Sequence, residues 1–219
     1  MKLYYLPGSC SLVPHTALHW VGAEHEAFET PRDYLKTPEY LAKNPAGTVP
    51  TLEDGDFTIV QNIGILTYLD TKYPEAELFG NRDNIKQRAL ASRCLAYANS
   101  DLHKQFPPLF RTPAFIDGDE ELHNRVKDAA KAGIISSLKI ADNHLKDREY
   151  LIDQICIADI YLTVILRWCK LLKIRFTDLP NLQSYYERVS AFEPFKEALA
   201  HEGIKQEPLP WFNEKINNP

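Results

Sequence analysis

The hydrophobic periodicity of this chain changes once, across the polar stretch 74–84, and that change limits the fold more than any single motif. Before it, short apolar β runs alternate with helical patterns. Residues 3–6 (LYYL) read as a first strand, ended by Pro7-Gly8. In the next run Val13, Ala17, Trp20 and Val21 fall at i, i+4, i+7 and i+8 and make one apolar helical face. Pro14 is tolerated in the first turn, where no backbone acceptor is lost, and Gly22 supplies a stop. Residues 25–30 predict a second strand, 31–43 a loop with a short helix, and Asn44-Pro45-Ala46-Gly47 a turn. Residues 49–52 and 57–60 predict two strands around the hairpin turn Glu53-Asp54-Gly55-Asp56. A helix over 62–73 then ends at Pro74.

The order βαβαββα calls for a mixed four-stranded sheet, because a βαβ unit makes a parallel pair and a hairpin an antiparallel one. Beyond residue 84 the pattern is helical throughout. One long helix starts near Ile85 and passes Leu95, Leu102 and Phe106 before Pro107-Pro108 kinks or ends it. Residues 120–146 predict a second, and 157–172 an almost wholly apolar core helix. Residues 182–189 and 192–200 predict two shorter ones. The expected organisation is an α/β domain over 1–76, a linker over 77–84, an all-α domain over 85–202 and an irregular tail over 203–219 that holds Pro208, Pro210 and Trp211.

Composition narrows the function. The formal net charge is −5 with no basic cluster, which argues against nucleic acid or an anionic membrane as partner. No stretch approaches the roughly 18–20 apolar residues of a spanning helix. No signal peptide is evident, so a cytoplasmic protein is expected. The cysteines Cys10, Cys94, Cys156 and Cys169 lie far apart, without metal-type spacing, so structural disulfides and metal are not expected.

Cys10 stands out, because a strand–turn–helix junction aims free N–H groups and the positive helix end at whatever sits there. A thiol so placed is expected to have a lowered pKa, and the same groups suit a ligand's thiolate or carboxylate. A small buried cysteine at a turn is the plain alternative.

Four segments, in register over essentially the whole chain, carry a resemblance: MKLYYLPGSCS at the start, NPAGTVP over 44–50, DLHK over 101–104 with PLF over 108–110, and IADIYL over 157–162. Together with a thioredoxin-like βαβαββα domain joined to a helical one, they resemble the cytosolic glutathione S-transferases, closest to the bacterial cysteine-type (beta) class. The resemblance implies a cis Val49-Pro50 bond whose edge pairs with the cysteinyl part of glutathione, its sulfur next to Cys10. It implies that Gln61 and Asn62 hold the γ-glutamyl end at a helix N-terminus, with Asn62 departing from the usual Ser. His103 is implied as proton donor or acceptor for the bound thiol, with Lys104 attracting the glycyl carboxylate or supporting an anionic thiolate. Lys36, in the loop after the second strand, is a further candidate carboxylate partner. Ser9 and Ser11 are rival thiol partners, and Tyr5, inside the first strand, is expected to pack.

The implied co-substrate pocket is apolar, between the domains, near Leu6, His103, Phe106, Phe110 and Trp168. Asp159 would belong to a capping box whose first residue is here Cys156, a poor cap, so a weakened helix start is expected. The six other histidines suggest no metal site. The function implied is that of a glutathione-dependent transferase in detoxification or a thiol oxidoreductase, acting as a homodimer with glutathione as co-substrate on a hydrophobic electrophile or disulfide. The alternatives are a non-catalytic glutathione-transferase-like binding or regulatory protein, and a glutathione-dependent isomerase or dehalogenase on the same fold.

Overall fold

The structure, a computed structural model, describes residues 1–205 apart from 112, 114, 115, 117 and 177. Pro208, Pro210 and Trp211 of the expected irregular tail therefore lie outside the described residues. The first domain is β1 (Lys2–Tyr5), α1 (Leu12–Trp20), β2 (Glu26–Glu29), α2 (Pro38–Lys43), β3 (Thr51–Asp54), β4 (Phe57–Val60) and α3 (Asn62–Lys72). Its sheet runs β2-β1-β3-β4, with β1 parallel to β2 and antiparallel to β3, and β3 antiparallel to β4. The mixed sheet follows from the order of elements, as the sequence implies.

Alternation along β1 divides the core. Leu3 and Tyr5 point to the face covered by Leu12, Val13, Ala17 and Leu18 of α1 and Ile65, Leu66 and Leu69 of α3. Tyr4 points the other way, into a small cluster with Leu35 and Tyr40 that Leu6, Phe28, Tyr34 and Val49 border.

The second domain holds α4 (Ile85–Ala96), α5 (Pro107–Phe110), α6 (Glu120–His144), α7 (Ile157–Leu171), α8 (Pro180–Ser190) and α9 (Glu193–His201). Every residue of α7 from Ile157 to Leu166 is buried, as befits a helix apolar on all sides at the centre of a domain. At its start Cys156 makes no side-chain cap bond, and Asp159 does the holding: the Cys156 N–H donates to Asp159 Oδ2 at 2.8 Å, and Asp159 Oδ1 accepts from Leu151 N–H and Tyr185 Oη–H. Burial raises the Asp159 pKa, which these donors counter. Asp159 is a structural anchor.

The first long helix is not continuous. After α4 the backbone widens to a π-type turn over Tyr97–Leu102 and tightens to a 3-10 turn over His103–Gln105 before α5. Pro107 and Pro108 offer no N–H to prolong the preceding helix, and local π turns often mark functional positions. The last helix also crosses the expected domain division, since α9 packs along α1 of the first domain.

Candidate active site

Cys10 lies in the loop between β1 and α1, just before Ser11, the cap residue of α1. The loop is tied from both domains. Ser11 Oγ accepts from Leu6 N–H at 3.1 Å, lies 3.2 Å from Leu6 C=O and lies 2.7 Å from Ser9 Oγ. Gly8 N–H donates to Glu202 Oε2 at 2.7 Å, and Gly8 C=O accepts from Trp168 Nε1–H at 2.8 Å. Glu202 and Trp168 belong to the second domain, 160 residues or more along the chain. The closed first domain alone does not fix this loop.

Cys10 Sγ sits 3.8 Å from the carbonyl of Val49. The Val49-Pro50 bond is cis. Pairing of β3 with β1 ends at Thr51 opposite Tyr4, so the Val49 main chain continues past the ladder, beside the thiol. Burial pushes the Cys10 thiol up to about 11, against the opposing effect of the Asn62 side chain and the backbone N–H. This corrects the expectation of a lowered pKa: the thiol packs against the hydrophobic core, and in the ligand-free protein desolvation outweighs the helix end.

Asn62 also differs from expectation. The cap of α3 is Gln61, exposed and held at φ +70°, a conformation that costs a non-glycine residue about 1–3 kcal/mol and concentrates at ligand sites. Asn62 is the first helical residue and points inward. Its Nδ2–H donates to Tyr161 Oη at 3.2 Å, while its buried Oδ1 has no partner. Tyr161 Oη lies 2.8 Å from His103 Nδ1 and donates to Asn99 Oδ1 at 3.0 Å. Burial, then the charge of a Cys10 thiolate, raises the Tyr161 pKa. Burial lowers His103 to about 4, so its imidazole is neutral at pH 7.

A polar chain thus runs from Cys10 through Asn62 and Tyr161 to His103 and Asn99. Sequence reasoning missed Tyr161 and Asn99. The signal was a tyrosine within the wholly apolar stretch of α7, since a buried Tyr hydroxyl needs a partner.

Lys36, in the 3-10 turn Tyr34–Lys36, and Lys104, next to His103, are both exposed. Ser11 is completely buried and its hydroxyl is committed to the loop, which corrects its reading as a thiol partner; Ser9, bonded to it, is tied up in the same way. The proposed pocket residues also divide. Trp168 and Phe106 are buried and form an aromatic cluster with His103 (4.7 Å between the Trp168 and His103 rings) and Phe110 (5.6 Å from Trp168). They form a wall, and only Phe110, 52% exposed, presents a free apolar face. Leu6 borders the Tyr4–Tyr40 cluster instead. Tyr5 packs in the core, as expected. A cavity of about 300 Å³ between α4, α6 and α7, lined by residues such as Tyr97, Ile140, His144 and Leu162, has none of these groups in its wall.

A thioredoxin-like sheet that places a thiol beside an open main-chain edge, backed by a helical domain, defines a thiol-handling protein. Comparison with known proteins specifies it. Residues 8–72 match the model of the glutathione S-transferase N-terminal domain and 102–193 that of the glutathione S-transferase C-terminal domain. A glutathione S-transferase of Xanthomonas campestris is 35% identical over 93% of this chain and 100% of its own. The solved glutathione S-transferase of Xylella fastidiosa is 36% identical, with a TM-score of 0.88 over 93% of this chain and 99% of that one. A bacterial beta-class glutathione S-transferase of Sphingomonas chungbukensis is 33% identical, with a TM-score of 0.81 over 94% and 100%. The chain belongs to the glutathione S-transferase family, in its beta class, and has the family's glutathione-dependent transferase activity. Among the described residues no helix is long and apolar enough to cross a membrane.

Proposed function

We propose that glutathione lies extended along Val49-Pro50, with its sulfur against Cys10 and its γ-glutamyl end at Gln61 and the N-terminus of α3. The observation that carries this is the Cys10 thiol, 3.8 Å from the Val49 carbonyl where the sheet's own pairing has ended. The strained Gln61 supports the γ-glutamyl end, and exposed Lys36 and Lys104 are the available cations for carboxylates. Inward-facing Asn62 acts on the sulfur end rather than on the carboxylate, through its unpartnered Oδ1 and its bond to Tyr161.

Two uses of the thiol fit. A hydrophobic electrophile resting on Phe110 accepts the glutathione sulfur, its proton passing to solvent, while Asn62 Nδ2–H and His103 Nδ1–H both donate to Tyr161 Oη and fix its hydroxyl toward Asn99. A disulfide is reduced by exchange: the Cys10 thiolate attacks one of its sulfurs and forms a mixed disulfide as the old S–S bond breaks and the departing thiolate takes up a proton, and reduced glutathione then attacks the mixed disulfide, taking the bound sulfur into a new glutathione disulfide and releasing the Cys10 thiolate. The protein works in the cytoplasm, as its four unpaired cysteines suit, and as a homodimer.

Steady-state rates of conjugation and of disulfide reduction, measured for wild type and Cys10→Ala, test the assignment. Loss of disulfide reduction in the variant, with glutathione KM raised, supports it. Unchanged rates in both assays would remove Cys10 from the site.

A further inference from the structure

Four of the histidines left without a role converge at one point. His15 and His19 sit at i and i+4 on α1, His25 immediately precedes β2, and His201 is the last residue of α9. One ring nitrogen of each lies within 4.8 Å of the others. All six ring pairs have centroids between 4.9 and 5.8 Å apart, so the rings surround a common centre from four directions. We propose that His15, His19, His25 and His201 form a tetrahedral site for a divalent first-row metal ion, zinc above all.

The hydrogen bonds assign which nitrogens face the centre. His15 Nδ1 bonds Glu202 Oε1 at 2.9 Å, His19 Nδ1 faces Glu197 Oε2 at 3.3 Å, and His25 Nδ1 bonds the Ala23 carbonyl at 2.8 Å. The Ala23 carbonyl holds His25 Nδ1 as an N–H, and with Nδ1 of His15 and His19 turned to carboxyl groups the Nε2 atoms are the ones left to face the centre. Metal-binding histidines carry this arrangement, with a carboxylate or carbonyl on the far nitrogen.

The inward set is then Nε2 of His15, His19 and His25 with Nδ1 of His201. His201 Nδ1 lies 3.2 Å from His15 Nε2 and 3.5 Å from His19 Nε2. Tetrahedral zinc with Zn–N of 2.0–2.1 Å needs nitrogens roughly 3.3–3.4 Å apart. His25 Nε2 is buried with no hydrogen-bond partner, an orphan that a metal would satisfy. Four imidazoles without thiolate favour zinc, copper or nickel, and a tetrahedral arrangement selects zinc among them.

The site would join the domains, since His15, His19 and His25 come from the first and His201 from the second. It would also reach the active-site loop, because Glu202 binds both His15 Nδ1 and the Gly8 N–H.

The test is zinc titration by calorimetry of the tag-free chain, stripped with chelator, without glutathione, in parallel with melting curves. Wild type and Cys10→Ala are expected to bind one zinc per chain. Melting temperature should rise by roughly 5–10 °C at free zinc about 100 times Kd. In His25→Ala and in His201→Ala affinity should drop by more than the roughly 10–100-fold of a lost outer partner. His201 is exposed, so its variant keeps the fold, checked by circular dichroism and by glutathione-dependent activity. Less than stoichiometric uptake by wild type overturns the site, as does uptake that survives both histidine substitutions.

Discussion

Replacing Ser11 with alanine separates two readings of the Cys10 loop. In the structure Ser11 is completely buried, and its hydroxyl accepts from Leu6 N–H and contacts Leu6 C=O and Ser9 Oγ. Deleting it does not orphan the Leu6 carbonyl, which still accepts from Ser9 N–H at 3.1 Å. The Leu6 N–H loses its partner, and leaving one backbone donor unsatisfied costs about 1–3 kcal/mol. Taking about 2 kcal/mol, and about 2–4 °C per kcal/mol for a chain of this size, Ser11→Ala should lower the melting temperature by roughly 4–8 °C. The assay is thermal and urea unfolding, paired with kcat and glutathione KM measured well below the melting point. Little change in kcat with a clear loss of stability is expected. A variant as stable as wild type whose kcat falls tenfold would refute the reasoning and return Ser11 to the chemistry.

His103 should make the protein acid-sensitive. Its pKa is about 4 in the folded state against 6.5 unfolded, so between those values the unfolded chain binds more protons and stability falls with falling pH. His103→Gln should flatten the dependence of unfolding free energy on pH over that window; an unchanged slope in urea melts at pH 4–7 would contradict the assignment. Cys156→Ser supplies a better cap for α7, where sulfur is a weak acceptor, and should add about 1 kcal/mol, or roughly 2–4 °C in melting temperature. An unchanged or lower value would mean that the Asp159 network alone fixes that helix start.

The architecture was legible because β and helical periods do not mix. The hairpin turn over 53–56, the helix stop at Pro74 and the apolar run of α7 each mark their elements within a few residues. What the sequence conceals is long-range and polar. The π-type turn at Tyr97–Leu102 has no local breaker, yet it carries Asn99, which with His103 just beyond it reaches the Tyr161 hydroxyl. Asn62 looks like a cap, but backbone strain at Gln61 takes the cap position and turns Asn62 inward. The Cys10 thiol sits where a helix end should lower its pKa, yet burial, which no local pattern reports, dominates. His15 and His19 do carry an i, i+4 spacing, but His201 joins them only because α9 folds back on α1, a long-range contact that no linear spacing reports.

The most direct test of the central claim is mass spectrometry of native wild type and Cys10→Ala incubated with oxidised glutathione over a range of pH. The account predicts one glutathione adduct on wild type, absent from Cys10→Ala. Its initial rate should climb with pH beyond 9, because the free thiol has a pKa of about 11. No adduct on wild type at any pH, or an adduct that persists in Cys10→Ala, would contradict the placement of the glutathione sulfur at Cys10.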